Sequence, residues 1–205
     1  MSKIVKPVDA AGLVLIRAGS RGEPEILLGR RHRKAGFLPD IYVVPGGRVD
    51  TADHAPSGFA ESLNPAVSAA LQSGGSRRPA LAFPRAALRE THEETGLLVG
   101  GSGTPIDSLK LDVWRAYGIA GLSPDFGAID FIGRAITPVT SHRRYNTRFF
   151  LADGSRAVGS VSSNGELEDL AWRPVSALSG LTIVDVTEYV LKEALRRWQA
   201  GSPAG

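Results

Sequence analysis

Apolar residues fall in short, separated runs along the first fifty positions. "AAGLVLIRAG" at 10–19 and "PEILLGRR" at 24–31 read as two strands joined by the polar turn "SRGE", a hairpin pattern. "IYVVPGG" at 41–47 reads as a third strand, stopped by Pro45 and a glycine pair. From Thr51 to Pro84 the pattern dissolves into Pro, Gly, Ser and Ala, with one short helix near "NPAVSAALQ" and a flexible "SGGS" at 73–76. Helical periodicity returns at "RAALRETHEETG", 85–96, where Pro84 suits the first turn and Gly96 the left-handed position past the end. Leu88, Thr91 and Thr95 lie opposite Glu90, Glu93 and Glu94, so the helix can pack one side and present acids on the other. Beyond a "GGSG" loop the pattern predicts a second helix over 105–122. Strands follow at 128–137, 146–153 and 166–175, then an amphipathic helix at 186–200 and a frayed tail at 200–205.

Composition sets the class without naming the chemistry. At 205 residues, 42% hydrophobic and 22% charged, the chain is long enough for one domain with a sizeable core and is not a disordered polymer. With 24 Lys and Arg against 21 Asp and Glu, the net charge of +3 does not by itself argue for nucleic acid and suits an anionic small molecule. There is no cysteine, so neither disulfides nor thiolate catalysis enter, and no Gly-x-Ser-x-Gly elbow is present. The apolar run ending at Arg17, about six residues, is too short for a signal segment or membrane span. The expectation is a soluble, cytoplasmic protein without membrane or nucleic-acid partners.

The chemistry concentrates in "RETHEETGLL". Glu90, Glu93 and Glu94 share one helical turn, where like charges repel by a few tenths of a kcal/mol per pair. Either water solvates the face or a cation occupies it. Hard divalent ions such as Mg²⁺ or Mn²⁺ take a few carboxylates, water and substrate phosphate oxygens, and this turn supplies the carboxylates from one rigid element. Gly46 and Gly47 end a strand without side chains, which lets backbone come close to a metal or phosphate. Arg89 would anchor the acids by ion pairing.

"PGGRVDTAD" and "RETHEETGL" together resemble the two halves of the Nudix box: a Gly, five residues, a Glu, seven residues, then Arg-Glu-U-x-Glu-Glu-x-Gly-U, with U a bulky aliphatic. Gly47 fits the first glycine and Asp53 stands where the pattern has Glu. Residues 89–97 match the second half, apart from Thr91 at the first aliphatic position. Residues 54–88 separate the halves where the pattern has seven. An interrupted box is similar to the peroxisomal-type coenzyme A diphosphatases and their bacterial relatives, and "GFLPDIYVVPGGRVDTAD" and "RRYNTRFFLADG" resemble that subfamily around the box. "LLGRR" at 27–31 matches only part of its further Leu-Leu-Thr-x-Arg motif. The resemblance implies an α+β Nudix fold, a mixed β-sheet sandwiched between helices. It forms a single domain over 1–205, with the 54–84 insertion as a lid or an edge excursion. It also implies a Mg²⁺- or Mn²⁺-dependent pyrophosphohydrolase acting on a nucleoside diphosphate derivative, coenzyme A or acyl-CoA first, with ADP-ribose, NADH or nucleoside triphosphates as competitors. The metal would be held by Glu90, Glu93, Glu94 and the Gly46 carbonyl; proton removal would fall to Glu90 or Glu93; Arg89, Gly47, Asp53 and Gly96 would support the site. A homodimer is the frequent family state.

Outside the box, Glu166 and Glu168 lie ahead of Trp172, where alternation puts both on one face and either is a candidate further ligand or base. Arg30, Arg31, Arg33 and Lys34 precede the glycine strand and suit a pyrophosphate or 3'-phosphate as well as a solvated strand end. Arg143, Arg144 and Arg148 pose the same choice. His32, His54, His92 and His142 lack metal-type spacing. A silent nucleotide-sensing module and an arginine-based nucleic-acid binder are the readings from other classes.

Overall fold

The computed structural model describes residues 5–20, 22–73 and 78–201. Gly74 to Ser76 of the "SGGS" stretch, and the tail after Gly201, lie outside them. In chain order the elements are β1 (Val8–Ala18), β2 (Pro24–Arg31), β3 (Tyr42–Val43), β4 (Gly46–Arg48), a 3₁₀ turn (Thr51–His54), α1 (Pro65–Ser73), α2 (Ala82–Thr95) and β5 (Leu98–Ser102). There follow α3 (Asp112–Ile119), β6 (Leu122–Pro124), β7 (Asp130–Ile136), β8 (Tyr145–Asp153), β9 (Ala157–Val158), β10 (Leu167–Pro174) and α4 (Asp185–Gln199).

β1 is the centre because it is apolar on both faces. It pairs parallel with β8 and antiparallel with β2 in a sheet ordered β10-β2-β1-β8-β7, which makes the sheet mixed. Ala11, Leu13 and Leu15 join Phe83, Ala86 and Ala87 of α2 in one core cluster; Val14 and Ile16 join Val190, Leu191 and Ala194 of α4 in another. A strand buried on both sides needs a continuous hydrophobic run, which "AAGLVLI" is. The expected sheet between helices is therefore what forms. Among the described residues no helix is long and apolar enough to cross a membrane.

Three elements depart from the sequence reading. "IYVVPGG" is two strands, because β3 pairs with β2 while β4 pairs with the first half of β1, with Pro45 at the break. The helix expected over 105–122 begins only at Asp112. The "GGSG" loop is largely strand β5, which pairs β6 and β9 through its backbone, so its glycines need no side chain to hold it.

Among its described residues the insertion packs into the protein, with α1 lying against the edge strand β7. Phe59, Val67 and Leu71 are at most 7% exposed and belong to the α2-side core. Phe59 meets the ring of Tyr117 edge-on at 6.2 Å, and the Tyr117 hydroxyl closes on both the N–H and C=O of Val99 in β5, at 2.9 Å each. The Leu71→Ala variant is expected to lose about 2–5 kcal/mol in urea denaturation, the range for a buried leucine truncated inside a core. A loss below about 0.5 kcal/mol, the range for surface positions, would show that the insertion contributes nothing to the core.

Candidate active site

α2 carries the acids because its local chemistry lets polar residues be buried. Thr91 and Thr95 are both 0% exposed, and each hydroxyl donates to the carbonyl four residues back, Thr91 to Ala87 at 2.7 Å and Thr95 to Thr91 at 2.5 Å. Thr91 therefore occupies its aliphatic position with its polar atom satisfied. Gly96 ends the helix at φ 73°, a left-handed conformation that a side chain would strain, and its N–H donates to the His92 carbonyl.

β4 faces the last turns of this helix. A Cβ at Gly46 would collide with the Ala11 carbonyl oxygen of β1, and one at Gly47 would collide with the Glu90 carboxylate. Only glycine lets the strand end lie against both. The Gly46 N–H donates to Glu94 Oε2 at 2.8 Å.

The three glutamates occupy different environments. Glu94 is 4% exposed; burial pushes its pKa up to about 8, with the Gly46 N–H pulling down and the charges of Glu90 and Glu166 adding to the rise. Glu90 is raised to about 7, by burial first, with Arg89 opposing and Glu93 and Glu166 reinforcing. Glu93 stands open to solvent, its side chain 47% exposed. Glu94, expected on the presented face, is thus turned inward.

Arg89 uses all five of its N–H donors. Nε and Nη2 meet the two oxygens of Asp53 at 2.9 Å each, Nη2 also reaches the Arg48 carbonyl at 2.9 Å, and Nη1 bridges Glu90 and Glu93 at 2.9 Å each. Asp53 is 0% exposed, and its Oδ2 also accepts from the Asp50 N–H at 2.8 Å. Burial works against the Arg89 charge, but Asp53 and the glutamates outweigh it and its pKa rises.

Among the described residues no three acidic or histidine side chains form a ready-made metal cluster. Glu94 is turned to the Gly46 amide, and Glu90 and Glu93 to Arg89. The donor set nonetheless fits a hard divalent cation. Burial raises the pKa of both Glu90 and Glu94, the Glu90 charge adds to the rise at Glu94, and Glu93 beside them completes a set with oxygen donors only.

The remaining candidates divide. Glu166 is exposed and near enough for its charge to raise both Glu90 and Glu94, while Glu168 is turned to Arg30 at 3.0 Å and His32 at 3.5 Å. Glu166 lies just outside β10, and a register shift after Glu168, with Asp169 at φ 48°, breaks the simple alternation expected there. Arg30 is also held by Asp40 at 3.0 Å. Arg31 lies close enough to lower Glu94 electrostatically, and Arg33 is exposed. Arg143, Arg144 and Arg148 do not form one basic patch. Arg148 is 1% exposed, paired with Asp9 and stacked on Phe83, and Arg144 binds the carbonyls of Thr137 and Val5. Sequence reasoning passed over Arg85, whose one visible signal was its place four residues before Arg89.

The raised glutamates give the metal-free protein a pH dependence of known sign. A carboxyl at about pKa 8 when folded, against 4.5 ordinarily, binds more protons in the folded state. Its contribution to stability is full below pH 4.5 and is lost as the pH rises through about 8. In chelator, the melting temperature of the Glu94→Gln variant is expected to fall less over that window than that of the wild type, and Mn²⁺ is expected to restore the wild type at the alkaline end. Parallel melting curves for the two proteins would sink this account.

No family model matches the chain. It is 26% identical over 204 residues to an acyl-coenzyme A diphosphatase, NUDT19, of Xenopus laevis, covering 75% of this chain and 54% of that protein. The NUDT19 of Gallus gallus is 27% identical over 79% of this chain and 60% of that protein, so the chain spans little more than half the length of these relatives. A MutT Nudix hydrolase from Burkholderia pseudomallei shares the fold at 17% identity and a TM-score of 0.53, covering 92% of this chain and 98% of that one. The crystal structure of a Nudix hydrolase from Alicyclobacillus acidocaldarius superposes with a TM-score of 0.70 at 30% identity, over 93% of this chain and 91% of that chain. With this agreement spanning nearly all of both molecules, the chain belongs to the Nudix hydrolase family.

Proposed function

We propose that the chain is a divalent-metal-dependent hydrolase that splits the diphosphate linkage of coenzyme A or an acyl-CoA, giving 3',5'-ADP and a phosphopantetheine. The observation that carries the hydrolase reading is the turn of Glu90, Glu93 and Glu94 set against the side-chain-free strand end Gly46-Gly47. The likeness to two proteins named acyl-coenzyme A diphosphatases supports the substrate. The Asp53–Arg89 pair supports an enzyme over a silent module, since Asp53, shorter than the Glu of the pattern, still meets Arg89 through both of its oxygens.

Glu90, Glu93, Glu94 and the Gly46 carbonyl would hold Mg²⁺ or Mn²⁺. When bound, such an ion neutralises charge on the diphosphate and lowers the pKa of water. Arg89 keeps Glu90 and Glu93 at fixed separation from Asp53, so the acids are oriented before substrate arrives. In the reaction the oxygen of water bonds to one phosphorus, the bridging P–O bond breaks, and the bridging oxygen leaves on the other phosphate. A glutamate takes the proton of the water. Glu90 and Glu93 are the candidates within the box, and Glu166 stands beside them. Arg31, whose charge reaches Glu94, and the exposed Arg33 would meet the anionic substrate, whereas Arg30 is already committed to Asp40 and Glu168.

The test is product analysis by mass spectrometry with coenzyme A, acyl-CoA, NADH, ADP-ribose and nucleoside triphosphates, with Mg²⁺ or Mn²⁺ and with chelator. Metal-dependent 3',5'-ADP from coenzyme A is expected, lost by about 100-fold or more in Glu94→Gln, since residues behind metal ligands already contribute about 10–100-fold and Glu94 would be a ligand itself. Cleavage of another substrate alone would discard coenzyme A, and wild-type turnover in Glu94→Gln would discard the mechanism. Glu166→Gln is expected to lower kcat by about tenfold or more, while Glu168→Gln leaves kcat within about twofold, because only Glu166 faces the acids. The reverse order in steady-state kinetics would reassign the outer carboxylate.

A further inference from the structure

We propose that Glu61, within the insertion, is a positioning residue for the acid cluster, acting through Arg85, the 3₁₀ turn, Asp53 and Arg89. This rests on the metal-hydrolase reading and extends it to the segment that interrupts the box.

Arg85 and Arg89 lie one turn apart on the same face of α2, 4% and 6% exposed. Two like charges at this spacing repel, and both are buried beside one carboxylate, Asp53. That carboxylate is not shared between them. Arg89 takes both of its oxygens, and Arg85 takes only backbone, the carbonyls of Asp53 and His54 at 3.1 Å each. The counter-charge for Arg85 comes from Glu61, whose Oε1 accepts from Nε at 2.8 Å and whose Oε2 pairs with Nη2. Glu61 is itself fixed by the Ser57 N–H at 2.9 Å, and the Gly58 carbonyl accepts from Ile106 and Asp107, tying the segment to the loop before α3. Burial disfavours the Glu61 charge, but Arg85 and Ser57 outweigh it and hold its pKa below the ordinary value.

Glu61 therefore keeps Arg85 off the Asp53 carboxylate. Without it, Arg85 is a buried cation held only by the backbone carbonyls of His54 and of Asp53, the residue whose carboxylate clamps Arg89. Drawing Asp53 toward Arg85 would leave Arg89 with Glu90 and Glu93 as its main anions, in competition with a metal ion. A cleft of about 420 Å³ opens beside Glu61, Arg85, His54 and Ser62, so a neutral side chain at position 61 has room and solvent.

Mn²⁺ affinity, measured by the electron paramagnetic resonance of free Mn²⁺, tests this without turnover. Glu61→Gln is expected to weaken binding about tenfold, the lower end of what residues behind metal ligands contribute. Glu61→Asp, which keeps the charge at shorter reach, should fall between it and the wild type, and would carry the test if Glu61→Gln did not fold. The double variant Glu61→Gln/Arg85→Met removes the orphaned cation as well, and is expected to bind Mn²⁺ more tightly than Glu61→Gln alone, a non-additivity that plain loss of packing does not give. Val190→Ala, in the opposite layer, should lower the melting temperature without moving the affinity. Unchanged affinity in Glu61→Gln, or a double variant no better than the single, overturns the proposal. Wild-type protein that binds Mn²⁺ but leaves coenzyme A intact would remove the substrate and leave this test standing; wild-type protein that binds no Mn²⁺ would remove both.

Discussion

The Asp53–Arg89 contact is where the two halves of the molecule's chemistry are joined. It lies between the 3₁₀ turn that follows β4 and a helix far from it in sequence, and it is buried, so removing either partner leaves a buried charge without its main counter-charge. Such a loss costs about 3–5 kcal/mol, against about 0–1 for an exposed pair such as Lys192–Glu188. The orientation of α2 over β4 depends on it, and so does the spacing of Glu90 and Glu93. The surface pairs of α4 could be removed with little effect on either.

The sheet makes this contact possible. β1 gives one face to α2 and the other to α4, and along one edge it gives its second half to β2 and its first half to β4. The glycine strand is thus hydrogen-bonded to the most buried strand of the protein. The backbone that meets the acids is held rigidly from behind, and the acids are held by a guanidinium without a free donor. In this arrangement Glu90 and Glu94 both have raised pKa values, burial first and neighbouring acids second, so the protein alone disfavours their charged forms.

Much of this was legible in the sequence where a short pattern carries its own physics. The acid turn, its glycine stop and the Pro-Gly-Gly strand end have fixed local consequences, and so do the apolar runs "LVLI" of β1 and "ILL" of β2. What was not legible depended on partners distant in the chain. Nothing near Gly100 announces a strand, since β5 exists only through its pairing with β6 and β9. Nothing near Phe59 announces a core residue, because the ring of Tyr117 that receives it lies 58 positions on. Arg148 stood open between a phosphate ligand and a solvated strand end, as Arg143 and Arg144 did, until the parallel pairing of β8 with β1 set it against Asp9. Glu166 and Glu168 looked equivalent until the bulge in β10 gave them different neighbours.

Because Asp53 and Arg89 are clamped together, the segment between them is a closed loop whose ends meet whatever its length. For a flexible loop the entropy of closure grows only with the logarithm of length. Lengthening it from seven residues to the 35 found at 54–88 therefore costs about 1.4 kcal/mol on that scaling. Burial of Phe59, Val67 and Leu71, at about 1.5–3 kcal/mol for each large apolar side chain, is of a size to offset it. A catalytic motif pinned at both ends in this way can be split by a folded segment without its two halves drifting apart, and its sequence continuity is then no measure of its integrity in space.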